Sequence, residues 1–270
     1  MNPILVLGAT GKTGRRIVER LTARGIPVRA GSRSAEPAFN WEDPATWQAA
    51  LDGVSSVYLS YYPDLAVPGA PEVIAKFTAQ ALASGVRRLV LLSGRGEAEA
   101  QRAEQMLRQS GADWTILRCS WFMQNFSEGV FVEPLLAGAL SLPVAGVGEP
   151  FVDADDIANV AVAALTEDGH VGQLYELTGP RLMTFAQCVA EIARASGRAM
   201  RFETVPMDEF TAALVAQQQP PELVGFLQYL FGEVLDGRNA CTADGVQRAL
   251  GRAPRDFAHY ADAAATAWTA

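Results

Sequence analysis

Short unbroken apolar runs alternate with stretches in which apolar residues recur every three or four positions. Residues 3–7 form the first run, which ends in Gly8-Ala9-Thr10-Gly11-Lys12-Thr13-Gly14. Helical spacing follows. Ile17, Val18 and Leu21 fall on one face, Arg16, Arg20 and Arg24 on another, and Gly25 stops the pattern. Residues 28–32 read as a second strand. The alternation continues with helical patterns over 44–51, 71–84 and 97–109. Strand patterns cover 56–60, 88–92 (ending at Ser93-Gly94) and 114–117. Strands alternating with helices of about 10–15 residues predict an α/β fold with a doubly wound parallel sheet.

Beyond about residue 120 the strict alternation fades. Helical patterns cover 126–137, 156–165, 185–195, 207–215 and 222–235, and residues 174–177 read as a strand. Gln217 to Pro221 is a polar, proline-containing loop. The expected organisation is a nucleotide-type domain over 1–150 with a return segment near 151–178. A smaller, mostly helical domain follows over 179–270.

Charge changes this picture in one respect. The chain carries 22 basic and 30 acidic residues, a net charge of −8. A globally acidic chain is a poor partner for nucleic acid. The first 33 residues nevertheless hold seven basic side chains and one acid, Glu19, so the positive charge is concentrated there. Two separated histidines, His170 and His259, and three cysteines give no metal-binding cluster. The cysteines read as reduced thiols of a cytoplasmic protein. No run reaches the ~18 apolar residues of a membrane span, and residues 1–7 are too short for a signal peptide.

The glycine triplet lies where a phosphate site needs it, between a buried strand and a helix. Glycine permits the tight turn and lets a pyrophosphate approach the backbone, where the helix N-terminus stabilises the anion. Close helix–strand packing is the alternative use of the same residues. An acid at the end of the second strand suits the ribose of NAD, whereas an arginine suits the 2′-phosphate of NADP. The segment here is Arg29-Ala30-Gly31-Ser32-Arg33-Ser34, with no acid before Glu36. Ser32 and Arg33, with Lys12 reaching from the turn, therefore favour NADP(H) over NAD(H). Arg20 and Arg24 are expected only to solvate a helix face.

These residues resemble a known family. Gly8 to Gly14, Phe39-Asn40-Trp41-Glu42-Asp43-Pro44, Leu92-Ser93-Gly94 and the segment from Leu117 to Phe126 are similar to NmrA-like proteins, as are Phe151 to Ala158 and Leu177 to Pro180. Those proteins are atypical short-chain dehydrogenases. The resemblance implies a Rossmann-type domain, a small C-terminal substrate domain, and a nicotinamide held in the cleft between them. It places Gly8, Thr10, Gly11, Lys12, Thr13 and Gly14 on the pyrophosphate and Arg33 near the adenosine ribose. Asp43 falls by the adenine, Ser60 and Tyr61 by the cofactor ribose, and Ser93 near the nicotinamide. Phe122, Asn125 and Phe126 border cofactor and substrate.

Two departures matter. Short-chain dehydrogenases use a Tyr-x-x-x-Lys pair to protonate a carbonyl oxygen, and Gly96 and Ala100 stand at those positions. No Tyr or Lys lies between Lys76 and Tyr175. Cys119 stands where relatives often have proline, and reads as a small buried side chain rather than a reactive thiol. Hydride transfer to a quinone or an aromatic polyketide-like ketone is then the expected chemistry, with orientation supplying most of the catalysis. Ser93, Tyr61 and Asn125 are weak candidates for hydrogen bonding a developing oxyanion. Trp121, Phe122, Met123, Phe126 and Phe131, with Met207, Phe210, Phe226, Tyr229 and Phe231, either line an aromatic pocket or form the small domain's core. Asp156 reads as a helix cap, and no metal is expected. The expected partners are a small hydrophobic aromatic substrate and a second copy in a homodimer, not nucleic acid or membrane. A non-catalytic NADP(H)-binding redox sensor is the alternative function.

Overall fold

Leu5 and Leu7 point to one side of their strand and Ile4 and Val6 to the other, and all four are buried. Burial on both faces is the mark of a parallel strand inside a covered sheet. The computed structural model, which describes residues 2–269, repeats this pattern. Its strands are β1 (Ile4–Leu7), β2 (Val28–Gly31), β3 (Ser56–Leu59), β4 (Arg88–Gly94), β5 (Asp113–Cys119), β6 (Ala139–Leu142), β7 (Gln173–Leu177) and β8 (Arg201–Thr204). Six of them form one sheet in the order β2-β1-β3-β4-β5-β7. Every neighbouring pair is parallel. The order reverses at β1: the chain runs from β1 to β2 on one side and takes up β3 on the other.

The helices are α1 (Lys12–Ala23), α2 (Trp47–Leu51), α3 (Ala70–Ala83), α4 (Ala98–Gln109), α5 (Val132–Leu136) and α6 (Ala154–Thr166). They continue with α7 (Phe185–Ser196), α8 (Met207–Ala216), α9 (Pro221–Tyr229), α10 (Gly245–Leu250) and α11 (Phe257–Ala263). One compact unit comprises Met1–Cys119, Ala154–Leu177 and Asp244–Ala253. It holds the six-stranded sheet, with α3 packed on α4 and α1 packed on α6. Trp41, Trp47 and Phe77 fill the core beside Leu5, Leu7 and Leu59. This is the doubly wound α/β fold that the alternation predicts.

The arginine face of α1 is not a solvated stripe. Arg16, Arg20 and Arg24 are four residues apart and line up along one side of the helix. Arg16 and Arg20 both pair with Asp155 of α6, and Arg20 Nε donates to Asn159 Oδ1 at 2.8 Å. Arg24 reaches Glu167 at 3.4 Å. The N-terminal positive charge thus partly joins α1 to α6, which corrects the expectation for Arg20, whereas Arg24 stays half exposed as a solvated face requires. Asp156 is also corrected. It lies inside α6 rather than capping it, is buried, and pairs with Arg252 at 2.6 Å.

The second unit comprises Ser120–Asp153, Thr178–Ala243 and Pro254–Ala270. The division falls at residue 120 rather than near 150, and 244–253 returns to the first unit. Tertiary contacts set these limits, and local patterns do not report them. β6 and β8 pair in parallel as a separate two-stranded sheet. Neither strand is foreseen by the sequence reading, because each is short and its partner lies about sixty residues away. The pattern over 126–137 yields only α5, preceded by a 3₁₀ turn at Met123–Asn125. Gly129 is a poor helix former, and Phe126 and Phe131 are drawn into the core on an irregular path. That core is aromatic: Phe126 packs on Phe131, Phe151, Phe185 and Phe257. Residues 230–234 form a π-helical turn after α9. No helix among the described residues is long and apolar enough to cross a membrane.

Candidate functional site

The first unit places its chemistry at the carboxyl ends of the strands, where open parallel sheets hold ligands beside the order reversal. Gly8 follows β1 with φ +66°, a conformation that favours glycine. Its N–H donates to Gly31 O at 3.0 Å, and Gly11 N–H donates back to Gly8 O at 2.9 Å. α1 then starts at Lys12, with Gly11 as cap residue and no capping side chain. Gly14 lies against this turn. A Cβ there would sit inside contact distance of the Gly8 oxygen, 2.7 Å from the Gly8 carbonyl carbon and 3.0 Å from Ala9 Cα. A backbone turn without side chains, closed by an uncapped helix N-terminus, fits a pyrophosphate.

Thr13 faces inward, where Tyr58 Oη donates to its hydroxyl at 2.9 Å. Burial raises the Tyr58 pKa, so that phenol keeps its proton. Thr10 is exposed on the turn, and Lys12 opens the helix. Ser60 follows β3 beside Gly8, its hydroxyl 3.2 Å from a Cβ built there. Tyr61 is half-buried against Trp41, with ring centroids 5.1 Å apart. Burial and the nearby charge of Glu42 raise its pKa.

Ser32 and Arg33 follow β2. Ser32 Oγ lies 3.3 Å from Ser34 Oγ. The Arg33 guanidinium sits 5.6 Å over the ring of Tyr62, which is 67 % exposed. Both ends of this pair lie in water, so the cation–π contact contributes about 0.5–1 kcal/mol and can yield to a ligand. Asp43 is exposed and accepts from Ala45 N–H at 3.1 Å, capping the 3₁₀ turn Pro44–Thr46.

The ends of β4 and β5 hold a network that the sequence reading misses. Parallel register sets Ser93 beside Arg118, and Arg118 beside Glu176 of β7. Glu104 of α4 is 2 % exposed and covers this row. Arg118 forks onto Glu104, with Nε–Oε1 at 2.9 Å, and donates to Glu176 at 3.0 Å. The Glu104 carboxylate holds the Arg118 pKa up. Ser93 donates to Glu104 Oε1 at 2.6 Å, so its proton points inward rather than toward a ligand. Cys119 is buried, and burial with the nearby Glu97 pushes its thiol well above the usual range. A buried neutral thiol is inert. The i, i+11 spacing of Ser93 and Glu104 carries no local signal, and the contact exists only once α4 folds back on β4.

In the second unit, Phe122 precedes the 3₁₀ turn and Asn125 ends it, both half-buried. Gln124 anchors that turn by donating to Asp153 Oδ1 at 2.7 Å, and Arg255 pairs with the other carboxylate oxygen at 3.2 Å. Phe126 is 0 % exposed. It belongs to the aromatic core and cannot border a ligand, which corrects its expected role. Met123, Phe131 and Phe231 are buried in the same core. Trp121, Met207 and Phe210 are half-buried at its margin.

Residues 8–168 match the NAD(P)H-binding family model, and the chain belongs to that family. It is 34% identical to (4-alkanoyl-5-oxo-2,5-dihydrofuran-3-yl)methyl phosphate reductase of Streptomyces griseus, covering 94% of this chain and 95% of that one. It is 30% identical to an NAD(P)H azoreductase of Xenophilus azovorans, covering 99% of each. Among solved structures it resembles the NADPH-dependent quinone oxidoreductase QOR2 of Escherichia coli in complex with NADPH. The TM-score is 0.76 at 23% identity, over 96% and 99% of the two chains. NmrA, a negative transcriptional regulator in complex with NAD, matches at TM-score 0.71 and 15% identity, over 97% and 94%. The chain is an NAD(P)H-dependent oxidoreductase with an NmrA-like fold.

Proposed function

We propose that the protein is an NADPH-dependent reductase that delivers hydride to a quinone or an aromatic polyketide-like ketone. The observation that carries the reading is the glycine turn opening into the uncapped start of α1, with Arg33 at the end of β2. Gly8, Thr10, Gly11, Lys12, Thr13 and Gly14 would hold the pyrophosphate, with Ser60 and Tyr61 beside the cofactor ribose and Ser93 behind the nicotinamide. NADPH, when bound, supplies the hydride. The chain's part is to orient the ring and exclude water. Relatives named as azoreductase, quinone oxidoreductase and dihydrofuran-type phosphate reductase support an electron-poor acceptor. The absence of Tyr and Lys at positions 96 and 100 fits an acceptor that does not need their acid.

Two experiments test the reading. Arg33→Ala is expected to weaken NADPH binding about tenfold or more and NADH binding little, because only NADPH carries the 2′-phosphate. Titration of the nucleotide by fluorescence measures both constants, and equal losses would refute the phosphate contact. Steady NADPH consumption with a panel of quinones supports the reductase. Tight NADPH binding without turnover on any acceptor overturns it in favour of a redox sensor, which the missing Tyr and Lys also suit.

A further inference from the structure

We propose that Glu97 is the proton donor of this reductase: its carboxyl, folded over Gly94 at the end of β4, delivers a proton to the oxygen of an acceptor that has received a hydride. The inference rests on the reductase reading above. Glu97 stands at the cap position of α4, yet its side chain makes no cap hydrogen bond. It turns back instead, so that a Cβ built on Gly94 would collide with the Glu97 carboxyl, with Oε1 at 2.5 Å. That position is the carboxyl end of β4, two strands from the order reversal.

The surrounding groups decide which carboxyl holds a proton. Glu104 is filled by Arg118 and Ser93. Asp64, in the turn after β3, accepts from Ala66 N–H at 2.9 Å; burial raises its pKa, and this backbone hydrogen bond opposes the rise. Arg95 is directed to Glu176 at 3.4 Å, and the charge of Glu97 is felt by Cys119 at the end of β5. Among the described residues no hydrogen-bond donor reaches the Glu97 carboxyl, and the residue is largely buried without being sealed. Burial and the neighbouring charges of Asp64 and Glu104 push its pKa well above the usual carboxylate range. Its carboxyl therefore holds its proton to a higher pH than a free glutamate does, the direction a general acid needs. In the transfer the Glu97 O–H bond breaks and a new O–H bond forms on the acceptor oxygen. The carboxylate left behind regains a proton from water, so two electrons and two hydrogens reach the acceptor.

The test begins on the protein without nucleotide. Unfolded Glu97 loses its proton near pH 4.3, while the folded residue keeps it. Stability should then fall as pH rises from that value toward the raised folded pKa, because unfolding releases one proton. Urea denaturation from pH 4 to 9 is expected to show this slope, and Glu97→Gln to flatten it by about one proton per molecule. Gly94→Ala, which displaces the carboxyl without removing it, should flatten it too. With nucleotide, Glu97→Gln is expected to lower kcat on a quinone about 100-fold at neutral pH with the NADPH dissociation constant unchanged. An unaltered slope, or an unaltered kcat, overturns the donor role while leaving an active wild type a reductase. A wild type that turns over no acceptor removes the reductase reading, and the donor role with it.

Discussion

Gly14→Ala is expected to abolish dinucleotide binding and to destabilise the first unit by about 3 kcal/mol. Two effects oppose each other in this substitution. Alanine is the better helix former, worth about 1 kcal/mol in the interior of α1. The new methyl, however, would lie 2.7 Å from the Gly8 carbonyl carbon and 3.0 Å from Ala9 Cα, and closer still to the Gly8 oxygen. All three are backbone atoms of the tight turn. None can rotate away, so α1 must retreat by roughly 1 Å to restore ordinary carbon contacts. That movement displaces the N–H groups proposed to hold the pyrophosphate. Gly225→Ala is the control. It lies inside α9 with no atom within 4 Å of a built Cβ, and should be neutral or gain up to about 1 kcal/mol. Urea denaturation and NADPH titration of the two variants measure the contrast. Unchanged binding by Gly14→Ala would show that the turn tolerates a wider helix approach.

Glu104→Ala is expected to cost about 3 kcal/mol or more. Its carboxylate is buried, forks with Arg118 and accepts from Ser93. Removing it leaves a partly buried guanidinium with Glu176 alone, and a Ser93 hydroxyl without its acceptor. The loss therefore exceeds the value of an intact pair, because uncompensated charge and a broken hydrogen bond add. Glu72→Ala, which breaks an exposed contact with Arg102, should change stability little by comparison. Denaturant midpoints of the two variants separate the cases, and equal small losses would show that water already screens the Arg118 fork.

How far the sequence was legible depends on the distance over which each feature is specified. The glycine turn is local. Gly8, Gly11 and Gly14, the apolar strand before them and the helical spacing after them were readable together, because turn, helix cap and strand are decided within a few residues. The parallel α/β alternation was readable for the same reason. The role of Arg20 was not. Its spacing shows a helix face but not that α6, some 130 residues away, brings Asp155 to it. The family resemblance set Phe126 beside a ligand, and only the packing of Phe131, Phe151, Phe185 and Phe257 shows it to be core.

The sequence by itself determined the sheet class, the glycine turn and the arginine that follows β2. It also holds no Tyr or Lys between Lys76 and Tyr175, which poses the question of where a proton comes from. Only the tertiary structure decided which carboxyls meet at the end of β4. Glu97 folds back over Gly94, Glu104 is captured by Arg118, and Asp64 arrives from the turn after β3. A proton affinity is set by burial and by neighbouring charges, and both are products of long-range packing that no local pattern encodes.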